Sequence, residues 1–119
     1  MMQISSIRKM VIASLHVLKL QRSGIHVEKR LRKLGLALPP VPEPPKGNYQ
    51  SYMRTGNLLY LSGHLPKPAD GDMICGRLGE DMSVEDGQKA AQAAGLQMLS
   101  SMICALGDLD RVKKVVNLR

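Results

Sequence analysis

Five of the seven residues from Pro39 to Pro45 are proline, and this run constrains the chain more than any other feature. Proline has no backbone N–H and holds φ near −65°, so such a run enters neither a helix interior nor a central strand. It reads as an extended polyproline-like connector. A PxxP spacing that an SH3-type module would accept is present, but a stiff spacer is the simpler reading. The connector splits the 119 residues into three parts: a leader over 1–25, a short helix with the connector over 26–46, and a folded body over 47–119.

Charge divides at nearly the same place. Residues 1–36 carry eight basic side chains against Glu28 alone, which accounts for the whole formal charge of +7. The rest of the chain is neutral, so attraction to an anionic partner would come from the leader and not from the body. Residues 1–25 have four basic residues, four serines and no acid, a composition resembling an organellar transit peptide. Ile4, Ile7, Val11, Leu15 and Leu18 keep helical spacing there, although Arg8, Lys19 and Arg22 flank that stripe rather than oppose it. The expected compartment is the cytoplasm, or the mitochondrion if the leader is an address. A solvated extension with no address is a third reading. No apolar run reaches the roughly 18 residues of a membrane-spanning helix, and no membrane partner is expected.

In the second part, Val27, Leu31 and Leu34 recur at helical spacing, and Gly35 stops the helix they predict. In the body, Tyr49–Arg54 and Leu58–Leu65 read as strands around Thr55-Gly56-Asn57, a hairpin turn that glycine permits. The near-continuous apolarity of Leu58–Leu65 predicts burial on both faces. A third extended piece is expected at Asp72–Cys75. Ser83 opens a long helix running to Leu106, with Asp86 three residues on as a capping-box variant and Gly107 as its stop. Ala91, Ala94, Met98, Met102, Leu99, Ile103 and Leu106 give that helix a broad apolar face, and Val112–Leu118 reads as a final strand. Tyr49, Tyr52 and Tyr60 are the only aromatic residues, so aliphatic side chains must build the core, and burial against other subunits would help it.

Spacing alone reveals no catalytic constellation. There is no GxSxG, Walker loop or HExxH. Cys75 and Cys104 have no metal-ligand spacing, Cys104 reading as a small core residue and Cys75 as the more exposed thiol. His16, His26 and His64 are scattered, and Asp70 and Asp72 flank a solvated turn. Ser62-Gly63-His64 is the polar interruption of most interest. A direct nucleophile–base pairing of Ser62 and His64 is not expected, whereas Ser62 and the Gly63 backbone can line a pocket at the strand end.

Gly47-Asn48-Tyr49-Gln50, followed by Arg54-Thr55-Gly56-Asn57-Leu58-Leu59-Tyr60-Leu61-Ser62-Gly63-His64-Leu65-Pro66, resembles the strand signature of the RidA/YjgF family, also called L-PSP endoribonuclease-like or chorismate-mutase-like. Gly76, the Ala-rich helix from Ser83 and Gly107-Asp108-Leu109-Asp110-Arg111-Val112 look like the same family's continuation. The resemblance runs from about Val27 to Arg119, and Val27-Glu28-Lys29-Arg30-Leu31 with Leu34-Gly35 is similar to the opening of one subgroup.

The resemblance implies an α+β fold, a sheet packed on a long helix, assembled as a homotrimer with clefts between subunits. In active members those clefts hydrolyse reactive enamines and imines to keto acid and ammonia without a metal or organic cofactor. Carried over by position, Tyr49 matches the cleft tyrosine, and Ser62 and Gly63 the strand-end serine and glycine, all in substrate-binding roles. The family's carboxylate-binding arginine and water-positioning acid lie on later strands, beyond Arg119. The expected chain is therefore incomplete at its C-terminus, with no assignable catalytic residue and no activity alone. The rival expectation is a non-catalytic protein that joins full-length relatives in mixed oligomers. RNA binding or ribonuclease activity is weaker, because the body is neutral and lacks an aromatic base-stacking strand. In every case the long helix offers more apolar face than four strand segments cover, which predicts an exposed patch.

Overall fold

The computed structural model describes residues 26–40, 42 and 44–118. The leader at 1–25, and Val41 and Glu43 of the connector, lie outside the described residues. The fold is α+β, in the order α1 (Val27–Lys33), β1 (Tyr52–Thr55), β2 (Leu58–Leu61), α2 (Val84–Leu106) and a 3-10 turn at Leu109–Arg111.

Helix α1 ends as its sequence predicts, with Gly35 at φ +71°. Its start is held from the far end of the chain. His26 makes no side-chain cap bond, and Asp110 Oδ1 instead accepts the Val27 N–H at 2.9 Å, with His26 Nδ1 3.7 Å from the other carboxylate oxygen. A carboxylate there satisfies an N–H that the first helical turn leaves without a partner. The contact ties α1 to the 3-10 turn.

The hairpin forms where expected, antiparallel, with Tyr52 opposite Leu61 and Thr55 opposite Leu58, and with Gly56 at φ +54° in the turn. Both strands are shorter than the sequence pattern. The first begins at Tyr52, because the chain bends over Lys46–Tyr49 and Tyr49 donates its N–H to the Gly47 carbonyl at 2.9 Å. The second ends at Leu61, and burial of Leu58–Leu65 on both faces does not occur. Leu59 and Leu61 are half-buried, while Met53, Leu58 and Tyr60 on the opposite face are 59%, 48% and 60% exposed. The reason is topological: two strands are the whole sheet among the described residues, and no layer covers its outer face.

Helix α2 has the predicted ends. The Ser83 side chain accepts the Asp86 N–H at 3.1 Å and donates its own proton to the Asp86 carboxylate at 2.7 Å. Gly107, at φ +79°, donates its N–H to Ile103. The inward stripe differs from the expected apolar face. Ala93, Gln97, Ser100 and Ser101 are buried, Ala91 is exposed, and Ala94, Met98, Leu99, Met102, Ile103 and Leu106 are only half-buried. Cys104 is exposed rather than core, since the segments covering Gln97 and Ser101 do not reach it; Cys75 is exposed as expected. Gly87 has a packing reason, because a Cβ there would meet Leu78 at 2.7 Å, whereas Gly95 faces open space.

Two expected strands are absent. Asp72–Cys75 contributes one backbone bond, Ile74 N–H to the Pro66 carbonyl at 2.9 Å, and cannot extend it into a ladder against a segment holding Pro66 and Pro68, which lack donors. Val112–Leu118 runs without a strand partner among the described residues, and Val115, Val116 and Leu118 are exposed.

Candidate functional site

A β-strand that ends without a ladder partner has carbonyls to satisfy, and here the long helix supplies the donors. Gln97 Nε2 donates to the Lys67 carbonyl at 2.8 Å, across 30 residues. Ser100 donates to the carbonyl of Pro39, a residue of the connector that is itself buried. Ser101, with 0% of its surface exposed, meets Nε2 of His64 at 2.7 Å. Three polar side chains on one stripe thus fasten the connector, the strand exit and the loop after it to α2. Among the described residues no buried side-chain polar atom lacks a partner, which is why polar burial here is tolerable.

The strand exit built this way frames a small cleft. Pro45, Lys46, Tyr49, Gly63, His64 and Gln97 are among its lining residues. Its volume of about 20 Å³ is room for about one water molecule, far below the roughly 300 Å³ of an ordinary small-molecule pocket. Tyr49 stands at the rim, 46% exposed, its ring folded beside Gly47, where a Cβ would lie 3.2 Å from it. Gly63 N–H makes no intramolecular hydrogen bond among the described residues. Ser62 lies behind the cleft wall. Its hydroxyl donates to the Gln50 carbonyl at 2.5 Å and its N–H to the Ser51 carbonyl at 3.0 Å, which clasps the strand exit to the segment carrying Tyr49.

The structure therefore brings Tyr49 and Gly63 to one cleft and puts Ser62 in its frame. His64 occupies a position that sequence reasoning left unassigned. Its Nδ1 lies 2.7 Å from the Ser62 carbonyl, a group that only accepts, so Nδ1 carries a proton, and in the neutral ring Nε2 accepts the Ser101 hydroxyl proton. Nε2 faces a serine with no solvent exposure, which turns the basic nitrogen away from the cleft. Gln97 was also missed, although Gln97, Ser100 and Ser101 at helical spacing inside an apolar helix are a legible polar stripe.

A second, wider groove of about 340 Å³ is lined by Ile74, Cys75, Asp81, Met82, Asp86 and Lys89. Its carboxylates are committed locally: Asp81 accepts the Arg77 N–H, and Asp86 takes Ser83 and Lys89, which hold its carboxyl below the usual carboxylate range. Among the described residues no group of three or more His, Cys, Asp or Glu is arranged to hold a metal, and no helix is long and apolar enough to cross a membrane.

No protein-family profile matches the chain. It is 48% identical over 92 residues to Protein TCP17 of Trypanosoma cruzi, an alignment covering 77% of this chain and 57% of that protein. Among solved structures it is similar to Atu1372 of Agrobacterium tumefaciens, a protein of unknown function, at TM-score 0.64 and 35% identity over 76% of this chain and 55% of that one. It is similar also to a Shewanella oneidensis MR-1 protein described as a candidate endoribonuclease, at TM-score 0.68 and 36% identity over 74% of this chain and 58% of that one. The chain thus spans a little over half the length of each, and over that span it has the same α+β fold as the two solved structures.

Proposed function

We propose that this chain carries the binding half of a RidA-like site for 2-imino or 2-enamino acids. The observation that supports the reading is the meeting of Tyr49 and an unpaired Gly63 N–H at one cleft, with Ser62 framing it. A free N–H at a strand exit is a donor for a carboxylate, and a tyrosine at the rim offers a ring face and a hydroxyl to the planar C=N group. In the reaction, water adds to the C=N carbon, the C–N bond breaks, and ammonia leaves as the carbonyl forms. The small volume fits a cleft completed by a neighbouring subunit of a trimer, which would also supply a cationic partner for the substrate carboxylate and an acid to orient the water.

The test couples the chain to an amino-acid dehydratase or oxidase and follows keto acid and ammonia, alone and after mixing with a full-length relative. Release faster than in buffer, lost in Tyr49→Ala, supports the proposal. No acceleration in either mixture would remove it.

A second reading has its own observation. Met53, Leu58 and Tyr60 form an apolar outer face on the hairpin, which suits a non-catalytic subunit that associates with complete relatives. Mixed trimers in native mass spectrometry without any gain in keto-acid release favour it. Ribonuclease chemistry, the description borne by the Shewanella protein, has less support, because the His64 nitrogen that could take a proton faces Ser101, which has no solvent exposure.

A further inference from the structure

We infer that His64 and Ser101 are positioning residues that aim the Gly63 N–H into the cleft, an inference that rests on the binding role proposed for Gly63. The Ser62 carbonyl and the Gly63 N–H belong to one peptide group. That group is planar and trans, so holding the carbonyl on one side fixes the direction of the N–H on the other. The carbonyl is held by His64 Nδ1–H at 2.7 Å. The ring is held in turn at Nε2 by the Ser101 hydroxyl at 2.7 Å, from a helix position with no solvent exposure. The chain of contacts therefore runs from the body of α2, through an imidazole whose two nitrogens have opposite hydrogen-bonding roles, to a peptide plane whose N–H is otherwise unpaired.

Of the two neutral tautomers, this arrangement admits one. Only the ring protonated at Nδ1 and bare at Nε2 can donate to a carbonyl and accept a hydroxyl proton at once. Glycine at 63 makes the device necessary as well as useful, because a residue without a Cβ has the widest backbone freedom and would otherwise let the plane turn. A glutamine side chain, with its NH₂ and carbonyl on one carbon, has the same donor and acceptor pair and is the conservative replacement for this ring.

The test uses the full chain, with nitrogen-15 NMR of the imidazole, the Gly63 amide resonance, and pyruvate as the probe. The wild type is expected to show the Nδ1–H tautomer. Ser101→Ala should return the ring toward a tautomer mixture, shift the Gly63 amide, and weaken pyruvate binding by about two- to tenfold, the range for one lost hydrogen bond. His64→Gln should keep the Gly63 amide shift and the affinity near wild type, a rescue that a merely structural role for the ring would not give. An Nε2–H tautomer in the wild type, or a Gly63 amide unmoved in Ser101→Ala, would overturn the inference. Failure of the wild type to bind pyruvate would instead count against the imino-acid reading, while tautomer and amide shift still decide the role of His64 and Ser101.

Discussion

The long helix and the hairpin reverse the usual assignment of polar and apolar side chains. Helix α2 buries Gln97, Ser100 and Ser101, while the outer face of the hairpin exposes Met53, Leu58 and Tyr60. The helix can bury polar groups because each meets a partner on an irregular segment: the Lys67 carbonyl, the Pro39 carbonyl and the His64 ring. The hairpin exposes apolar ones because nothing among the described residues lies over that side. Burial in this chain follows backbone satisfaction at the strand exit and connector, and the hairpin's apolar face stays open among the described residues.

The largest expected effect tests whether the interior is as small as this contrast says. Leu109 is 3% exposed and, with Ala93, is one of two buried apolar residues among those described. Leu109→Ala should cost about 2–5 kcal/mol in denaturant unfolding, whereas Met53→Ala should change stability by less than about 0.5 kcal/mol. The order reverses for surface behaviour: Tyr60→Lys should lower binding of a hydrophobic dye and any self-association, and Leu109→Ala should raise dye binding. Equal stability losses at 53 and 109 would mean that the hairpin's outer face is covered within the chain.

The next effect probes the polar stripe. Gln97→Leu is close in size but removes the donor to the Lys67 carbonyl, and should cost about 1–3 kcal/mol as that carbonyl is left without this partner. A leucine that is neutral or stabilising would show that the stripe is polar by tolerance rather than by need.

Which parts of this contrast were legible in the sequence follows from how far each determinant reaches. Gly56, Ser83 and Gly107 mark their turn and caps through groups no more than four residues away, and all three act as their identities predict. Tyr49 and Gly63, singled out by resemblance, line one cleft, and their binding role is a proposal. Strand length was not legible, because a strand exists by pairing, and Val112–Leu118 has no strand partner among the described residues. The inward face of α2 was hidden for the same reason. Ser100 and Ser101 find their partners 61 and 37 residues away, and nothing local distinguishes such a serine from a solvent-facing one. Asp110 capping α1 from 83 residues off is the extreme case.

A smaller effect separates the two sides of α2. Gly95 faces open space, so Gly95→Ala should stabilise the isolated chain by about 1 kcal/mol through helix propensity alone. If the open side is where another subunit packs, the same methyl should weaken mixed oligomers with a full-length relative while raising the melting temperature of the chain. A variant that gains stability and assembles unchanged would place the partner surface elsewhere.

The smallest effect concerns the start of α2, where the capping is local and solvent-facing. The Asp86 carboxyl is held below its ordinary value of 3.8 first by the Ser83 hydroxyl and then by Lys89, whose Nζ donates to it at 3.1 Å. A carboxyl with a depressed folded-state pKa contributes stability that is whole above the unfolded value and is lost as pH falls through the folded one. The contribution from Asp86 is therefore constant at neutral pH and disappears only below 3.8. Amide exchange in the first turn of α2, compared between wild type and Asp86→Asn from about pH 6 to about pH 2, isolates it, because every other titrating group is shared. The wild type should be better protected at the upper end, and the two should converge at the lower. A difference that grows on acidification would mean that the protonated side chain is the better cap, and that the Ser83 hydroxyl, not the charge, holds this end of the helix.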